Sequence, residues 1–240
     1  MASPTTIPPV IPPGSPRGPL LEQGDHLTRE EFERRYDAIP GLKKAELIEG
    51  VVYMPSPVRL GHHGSPHIDL ATWIGVYRAS TPGVRAGDNT SVRLDPTNEP
   101  QPDALMLIEP ACGGQARITA DDYVEGGPEL VAEVAASSVS IDLNLKFRVY
   151  RRCNVREYIV WRVTDQQIDW FVLRGPQYER LPPGPDGHYR SEVFPGLWLD
   201  VAALIRGDLA TVLQVLQRGV ASSEHAAFVA RLQQAAGGNP

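Results

Sequence analysis

The sequence predicts a single α/β domain, a β-sheet core flanked by helices, set between a disordered N-terminal tail and a run of C-terminal helices. Three observations predict it. The 240 residues are 42% hydrophobic and 22% charged, which suits one sizeable core and excludes a disulfide miniprotein. Short apolar runs bounded by Gly-, Pro- and Asp-rich turns alternate with stretches of helical periodicity. No internal repeat and no strong linker follows residue 25, so one folded unit is the economical reading.

The elements follow in order. Seven of the 23 prolines lie within residues 1–20, where neither helical nor strand periodicity appears, and residues 1–24 read as a disordered, polyproline-like tail. Thr28-x-x-Glu31 matches a capping box, and Phe32, Tyr36 and Ile39 mark the buried stripe of a short helix. AELIEGVVYM, broken at Glu49-Gly50, reads as a tight hairpin. Ser65 and Pro66 supply an N-cap and a first-turn proline for a helix to about Ser80, ended by Pro82-Gly83. Strand-like runs VRAGDNTSVRL, PDALMLIE and ELVAEVA come next, then a helix from about Ser140 to Arg152. REYIVWRV, IDWFVLR and YERL are further strands, followed by an extended segment near Tyr189 to Leu199. From Val201 the pattern is two or three helices, with Asp200, Asp208 and Ser222 as caps. The boundaries expected are 1–24 for the tail, 25–200 for the sheet domain and 201–240 for the helical extension.

Composition limits the functions. There is no apolar run of the roughly 18 residues that a membrane span needs and no signal-peptide pattern, so the expected compartment is the cytoplasm, with no membrane partner. Cys112 and Cys153 are too few for a disulfide framework or a four-cysteine zinc site. The 23 basic residues against 29 acidic ones give a net charge of −6, the wrong sign for holding DNA by bulk electrostatics. Among the basic residues, the only lysines are Lys43, Lys44 and Lys146.

Three charges interrupt apolar runs. Asp103 follows Pro102 at the opening of a strand, Glu133 sits inside LVAEVA, and Lys146 lies in the helix after that strand. A carboxylate inside an apolar strand is either neutralised or held by a cation. Two of them on neighbouring strands beside a lysine suit a hard metal such as Mg²⁺, or alternatively Mn²⁺, which takes oxygen ligands and keeps waters. Metal and amine together suit phosphodiester hydrolysis. Each residue also has a simpler reading: Asp103 as a turn cap, Glu133 as a buried ion pair with an arginine, and Lys146 as an exposed helix lysine paired with Asp142.

The ordered blocks QPDALMLI, ELVAEVAASS and DLNLKFRVYRRCNVREYIVW, with ELIEGVVYMPSP ahead of them, resemble the Uma-type restriction endonuclease family of the PD-(D/E)XK nuclease superfamily. The resemblance spans most of residues 28–200 and implies a restriction-endonuclease-like fold with a mixed β-sheet core, acting as a Mg²⁺-dependent DNA endonuclease. Residue by residue, it makes Asp103 the aspartate of the Pro-Asp element and Glu133 the second acidic residue, both metal ligands. Ala135 stands where the superfamily lysine belongs, and Lys146 on the following helix is the substitute. Glu46 resembles an additional early glutamate that completes the metal shell or orients water; Glu49, at the turn, is expected to face solvent. A homodimer is implied for cutting both strands.

His63 and His67 are four apart, as zinc ligands on one helix face would be. Pro66 instead marks a helix start that leaves His63 in a loop, and no glutamate follows His63 as HExxH requires. His67, in the first helical turn, is a candidate to line the site or touch phosphate. Arg148, Arg151, Arg152 and Arg156 cluster on and after the Lys146 helix, and of these Arg148 and Arg152 are candidate substrate contacts, against a reading as a solvated, salt-bridged face. Trp161, Trp170, Phe171 and Trp198 read as core. The sequence carries no GxxxxGK[ST], Rossmann glycine or GxSxG motif. Two alternatives to a DNA endonuclease stay open: a nuclease-like binding or assembly module without turnover, and a nuclease acting on RNA or another phosphodiester.

Overall fold

The computed structural model describes residues 20–54 and 59–237. The tail expected over residues 1–24 therefore falls mostly outside the described residues, as do the last three residues. Residues 20–24 are ordered: Leu21 is buried against Phe32 and Leu47, and the Gly24 N–H donates to the Val52 carbonyl.

Helix α1 (Arg29–Asp37) starts where the capping box put it, with Thr28 Oγ1 accepting from the Glu31 N–H. The hairpin pairs β1 (Glu46–Ile48) with β2 (Val51–Tyr53), and Glu49 and Gly50 both have positive φ, as a type I′ turn requires. Leu47 also exchanges both backbone hydrogen bonds with Glu99, which ties the hairpin to the segment leading into Asp103.

Ser65 is not an N-cap. A π-helical turn, Leu60–Gly64, runs straight into α2 (Ser65–Ala79), so the helical path begins before Pro66 and carries His63 with it. Pro66 sits at the junction of the wide turn and α2, near the start of the α-helical hydrogen bonding, where proline is tolerated. The run VRAGDNTSVRL likewise divides, at left-handed Asn89, into β3 (Val84–Asp88) and β4 (Val92–Arg93). β4 joins β6 (Arg117–Ile118) and β7 (Val124–Glu125) in a small sheet whose two-residue strands are too short to show periodicity.

The main sheet also uses β5 (Ala104–Ile108), β8 (Leu130–Ala135), β9 (Glu157–Arg162), β10 (Gln167–Arg174) and β11 (Gln177–Arg180), in the order β11-β10-β9-β8-β5-β3. β8 and β9 are parallel and the other neighbours antiparallel, so the sheet is mixed. The predicted helix near Ser140 separates into a π-helical turn, Ile141–Lys146, and α3 (Phe147–Arg152); it makes the crossover between the two parallel strands. Tyr189–Leu199 contains two short paired strands, β12 (Tyr189–Arg190) and β13 (Trp198–Leu199).

Alternation along the strands builds two cores. Met106, Ala132, Val134, Ile159 and Trp170 face α2 and the C-terminal helices, α4 (Val201–Ile205), α5 (Leu209–Val220) and α6 (Ser223–Gly237). Leu105, Val131, Ala135, Tyr158 and Phe171 face α3, through Tyr150. Asp200, Asp208 and Ser222 cap the three C-terminal helices through the N–H groups of Ala203, Thr211 and His225. Trp161, Trp170 and Phe171 are buried and Trp198 is half-buried.

Candidate functional site

Strand parity decides where the interrupting charges point. Asp103 shares its face with Leu105 and Leu107, and Glu133 shares its face with Val131 and Ala135; both face α3. The register that pairs Ala104 with Ala132 sets Asp103 opposite Glu133 one step further out, and Asp103 Oδ2 accepts from the Val134 N–H at 2.8 Å. The wide turn before α3 brings Lys146 beneath Glu133, and the Leu47–Glu99 pairing brings Glu46 to the same point.

There Lys146 Nζ lies 2.8 Å from Glu46 Oε1, 3.0 Å from Glu133 Oε1 and 3.8 Å from Asp142 Oδ1, with its side chain 5% exposed. Glu133 Oε1 also accepts from the Tyr150 hydroxyl at 2.9 Å, and Glu46 Oε1 from the Gln101 N–H at 2.7 Å. Asp142 is anchored by the Ser138 hydroxyl, which donates to Oδ2. Among the described residues every hydrogen bond to Glu133 falls on Oε1, so Oε2 keeps its lone pairs.

Asp103 faces a different set of groups. Lys44 Nζ lies 3.3 Å from its Oδ1 and 3.0 Å from Asn89 Oδ1, while His63 Nε2 lies 3.3 Å from its Oδ2. His67 Nε2 donates to the Asp103 carbonyl at 3.0 Å and meets the exposed Asp88 carboxylate at 2.6 Å. The His63 and His67 rings pack edge to face 5.4 Å apart. Lys44 and His63 are each 22% exposed, so this side opens to solvent.

The electrostatics divide in the same way. Burial works to raise the Asp103 pKa, but the His63 hydrogen bond, the Lys44 charge and the Val134 N–H outweigh it and hold the carboxyl well below its usual range. Burial pushes Glu133 up to about 8; Lys146 opposes this, and the carboxylates of Asp142, Asp103 and Glu46 reinforce it. Burial would also depress the Lys146 ammonium, yet Glu133, Glu46 and Asp142 hold it well above the ordinary lysine range.

The structure thus brings Asp103, Glu133, Lys146, Glu46 and His67 together. It does not bring Arg148 or Arg152 into the cluster. Both pair with Glu49, at 3.4 and 2.9 Å, so Glu49 faces solvent at the turn, as expected, and is also a partner of α3. Arg151 and Arg156 are held by Gln177 and Gln115. The reading of Lys146 as an exposed lysine fails, because it is buried among carboxylates. Two site residues, Lys44 and His63, are not expected from the sequence, and Asp142, expected only as a surface partner of Lys146, is buried in the cluster. Lys44 could have been found as one of only three lysines, lying two residues before Glu46. The reading that left His63 in a loop fails because the helical path starts before Pro66.

Among the described residues no three His, Cys, Asp or Glu side chains form a ready-made metal cage, and no helix is long and apolar enough to cross a membrane. The sequence profile of the family Uma2, described as "putative restriction endonuclease", matches residues 29–202. No curated protein matches. Among solved structures, the chain is similar to a protein from Anabaena variabilis described as a "putative nuclease belonging to DUF820". That likeness has a TM-score of 0.57 at 14% identity, and covers 75% of this chain and 98% of the other. It is a likeness of fold.

Proposed function

The chain belongs to the Uma2 family of restriction-endonuclease-like proteins, and from that premise we propose that it hydrolyses phosphodiester bonds of DNA with the help of Mg²⁺ or Mn²⁺. The observation that carries the proposal is the convergence of Asp103 and Glu133 from adjoining strands, with Lys146 and Glu46 against them. The donor set fits a hard cation. Asp103 is held ionised, and Glu133 Oε2 has no hydrogen-bond partner among the described residues. Magnesium is commonly held by one or two carboxylates together with waters and substrate phosphate, without a protein cage.

Asp103 and Glu133 would hold the cation, with Glu46 beside them. Once bound, it would supply positive charge to a phosphoryl oxygen and acidify a nearby water. The chain's own groups do the rest. The Val134 N–H and His63 fix the orientation of Asp103. Lys146 holds Glu133 and Glu46 toward one point and offsets part of their mutual repulsion. Tyr150 fixes Glu133 Oε1 and leaves Oε2 without a hydrogen bond among the described residues. Water is the nucleophile, and one P–O bond forms as another breaks.

The test is cleavage of plasmid and linear DNA in Mg²⁺ and in Mn²⁺ by the wild type, Asp103→Asn and Glu133→Gln. Each substitution is expected to lower the rate about a hundredfold to a thousandfold, the scale of losing a charge-stabilising group. Both variants should remain folded by circular dichroism. Equal cleavage by wild type and folded variants would refute the assignment. A second reading, a binding module without turnover, draws support from Ala135 at the superfamily lysine position and from the full engagement of Lys146. Absence of both metal binding and cleavage in the wild type would favour it.

A further inference from the structure

We infer that Lys44, rather than the buried Lys146, is the amine that meets the substrate phosphate. This rests on the nuclease reading and changes which lysine touches the reacting group. An ammonium has three N–H donors and no acceptor. Those of Lys146 face Glu46, Glu133 and Asp142, and its side chain is shut away from solvent. A phosphate could reach that amine only by displacing carboxylates that have no other cation of comparable proximity among the described residues. Lys146 is therefore a positioning residue: it compensates the acids and aims them.

Lys44 stands on the open side of Asp103. Two of its donors are matched by Asp103 Oδ1 and Asn89 Oδ1, which leaves one for a ligand, and its side chain is partly exposed. The two acceptors fix the position of the amine before substrate arrives, and a pre-placed charge is what transition-state stabilisation requires. His63 and His67 flank the same opening. A phosphodiester approaching Asp103 from the side of Lys44 and His63 thus meets a rim of nitrogen groups in a chain whose net charge is −6. Lys44 donates a hydrogen bond to a non-bridging phosphoryl oxygen and makes and breaks no covalent bond.

The scarcity of lysine makes the test direct. The full-length protein is treated with an amine-acetylating reagent, free and with a short DNA duplex in calcium buffer, and the three lysines are read by mass spectrometry. Lys44 should acetylate in the free protein and be protected by DNA. Lys146 should be refractory in both states, and Lys43, exposed beside Lys44, is the internal reference. In parallel, Lys44→Met should lower cleavage about a hundredfold and reduce the slope of log affinity against log salt by about one, in protein that circular dichroism shows to be folded.

Protection of Lys146 without Lys44 overturns the inference. So does a Lys44→Met variant that keeps wild-type cleavage and salt slope while the wild type cuts DNA, a result that leaves the nuclease reading standing. A wild type that neither binds nor cuts DNA overturns the nuclease reading itself, and this inference with it.

Discussion

Asp103 and Glu133 stand opposite each other on adjoining strands and are buried to a similar degree, yet their carboxyl groups have opposite electrostatic surroundings. On the Asp103 side, Lys44, His63 and a backbone N–H hold the carboxylate ionised. On the Glu133 side, burial and three further carboxylates outweigh the single ammonium of Lys146 and raise the pKa of the carboxyl. Burial alone therefore does not set the state of either acid; the local ratio of cations to carboxylates does. Pairs of acids whose environments drive their pKa values apart recur in catalytic sites, where the two take different acid–base roles.

The comparison can be broken most forcefully at Lys146. Lys146→Met removes the cation from a buried cluster and leaves its carboxylates facing one another, so urea unfolding should show a loss of about 3–5 kcal/mol. A loss below about 1 kcal/mol, the scale of exposed pairs, would mean that the ammonium is not compensating the acids.

The pH dependence of stability sharpens it next, because the two acids have opposite signs. The Glu133 pKa is raised from its ordinary 4.5 to about 8, so its contribution is complete below 4.5 and lost as pH rises through about 8. Asp103 is held below its ordinary 3.8, so its contribution is present above 3.8 and lost as pH falls toward its native value. Unfolding free energies measured from acid to alkaline pH should therefore fall on both limbs. Glu133→Gln should flatten the alkaline limb by up to about 1.4 kcal/mol per pH unit, and Asp103→Asn should flatten the acid limb. Glu99, raised to about 8, and Glu157, raised to about 7, both mainly by burial, carry the alkaline sign too, so some slope should survive Glu133→Gln.

The smallest effect belongs outside the pair. Arg152→Ala should cost only about 0.5 kcal/mol, because its partnership with Glu49 is largely exposed. Its DNA affinity is the more telling readout. An unchanged salt dependence would make Arg152 a structural partner of the hairpin, and a slope lower by about one would make it a phosphate contact.

What could be read from the sequence was mostly local. Thr28, Asp200, Asp208 and Ser222 cap the helices expected of them, since a cap reaches only a few residues along the chain. Glu49-Gly50 turns the hairpin for the same reason. Asp103 and Glu133 were legible because each breaks an apolar run. Lys44 was not, since its tie to Asp103 spans 59 positions and nothing beside it in the sequence looks buried. Asp142 was noticed at the correct spacing from Lys146 but assigned to the surface, because spacing along a helix does not say which face is covered. His63 was missed because the wide turn before α2 has no familiar helical periodicity.

Both wide turns, Leu60–Gly64 and Ile141–Lys146, deliver residues to the cluster. A π-helical turn holds one residue more than an α-helical turn, and one residue corresponds to about 100° of helical rotation. Loss of a single codon between Asp142 and Lys146 would therefore change their angular offset by that amount while leaving Val149 and Tyr150 free to pack as before. The chain could keep its fold and lose the convergence of charges. By that reckoning, the cluster is more vulnerable to a small deletion in this segment than to most single exchanges of one side chain for another.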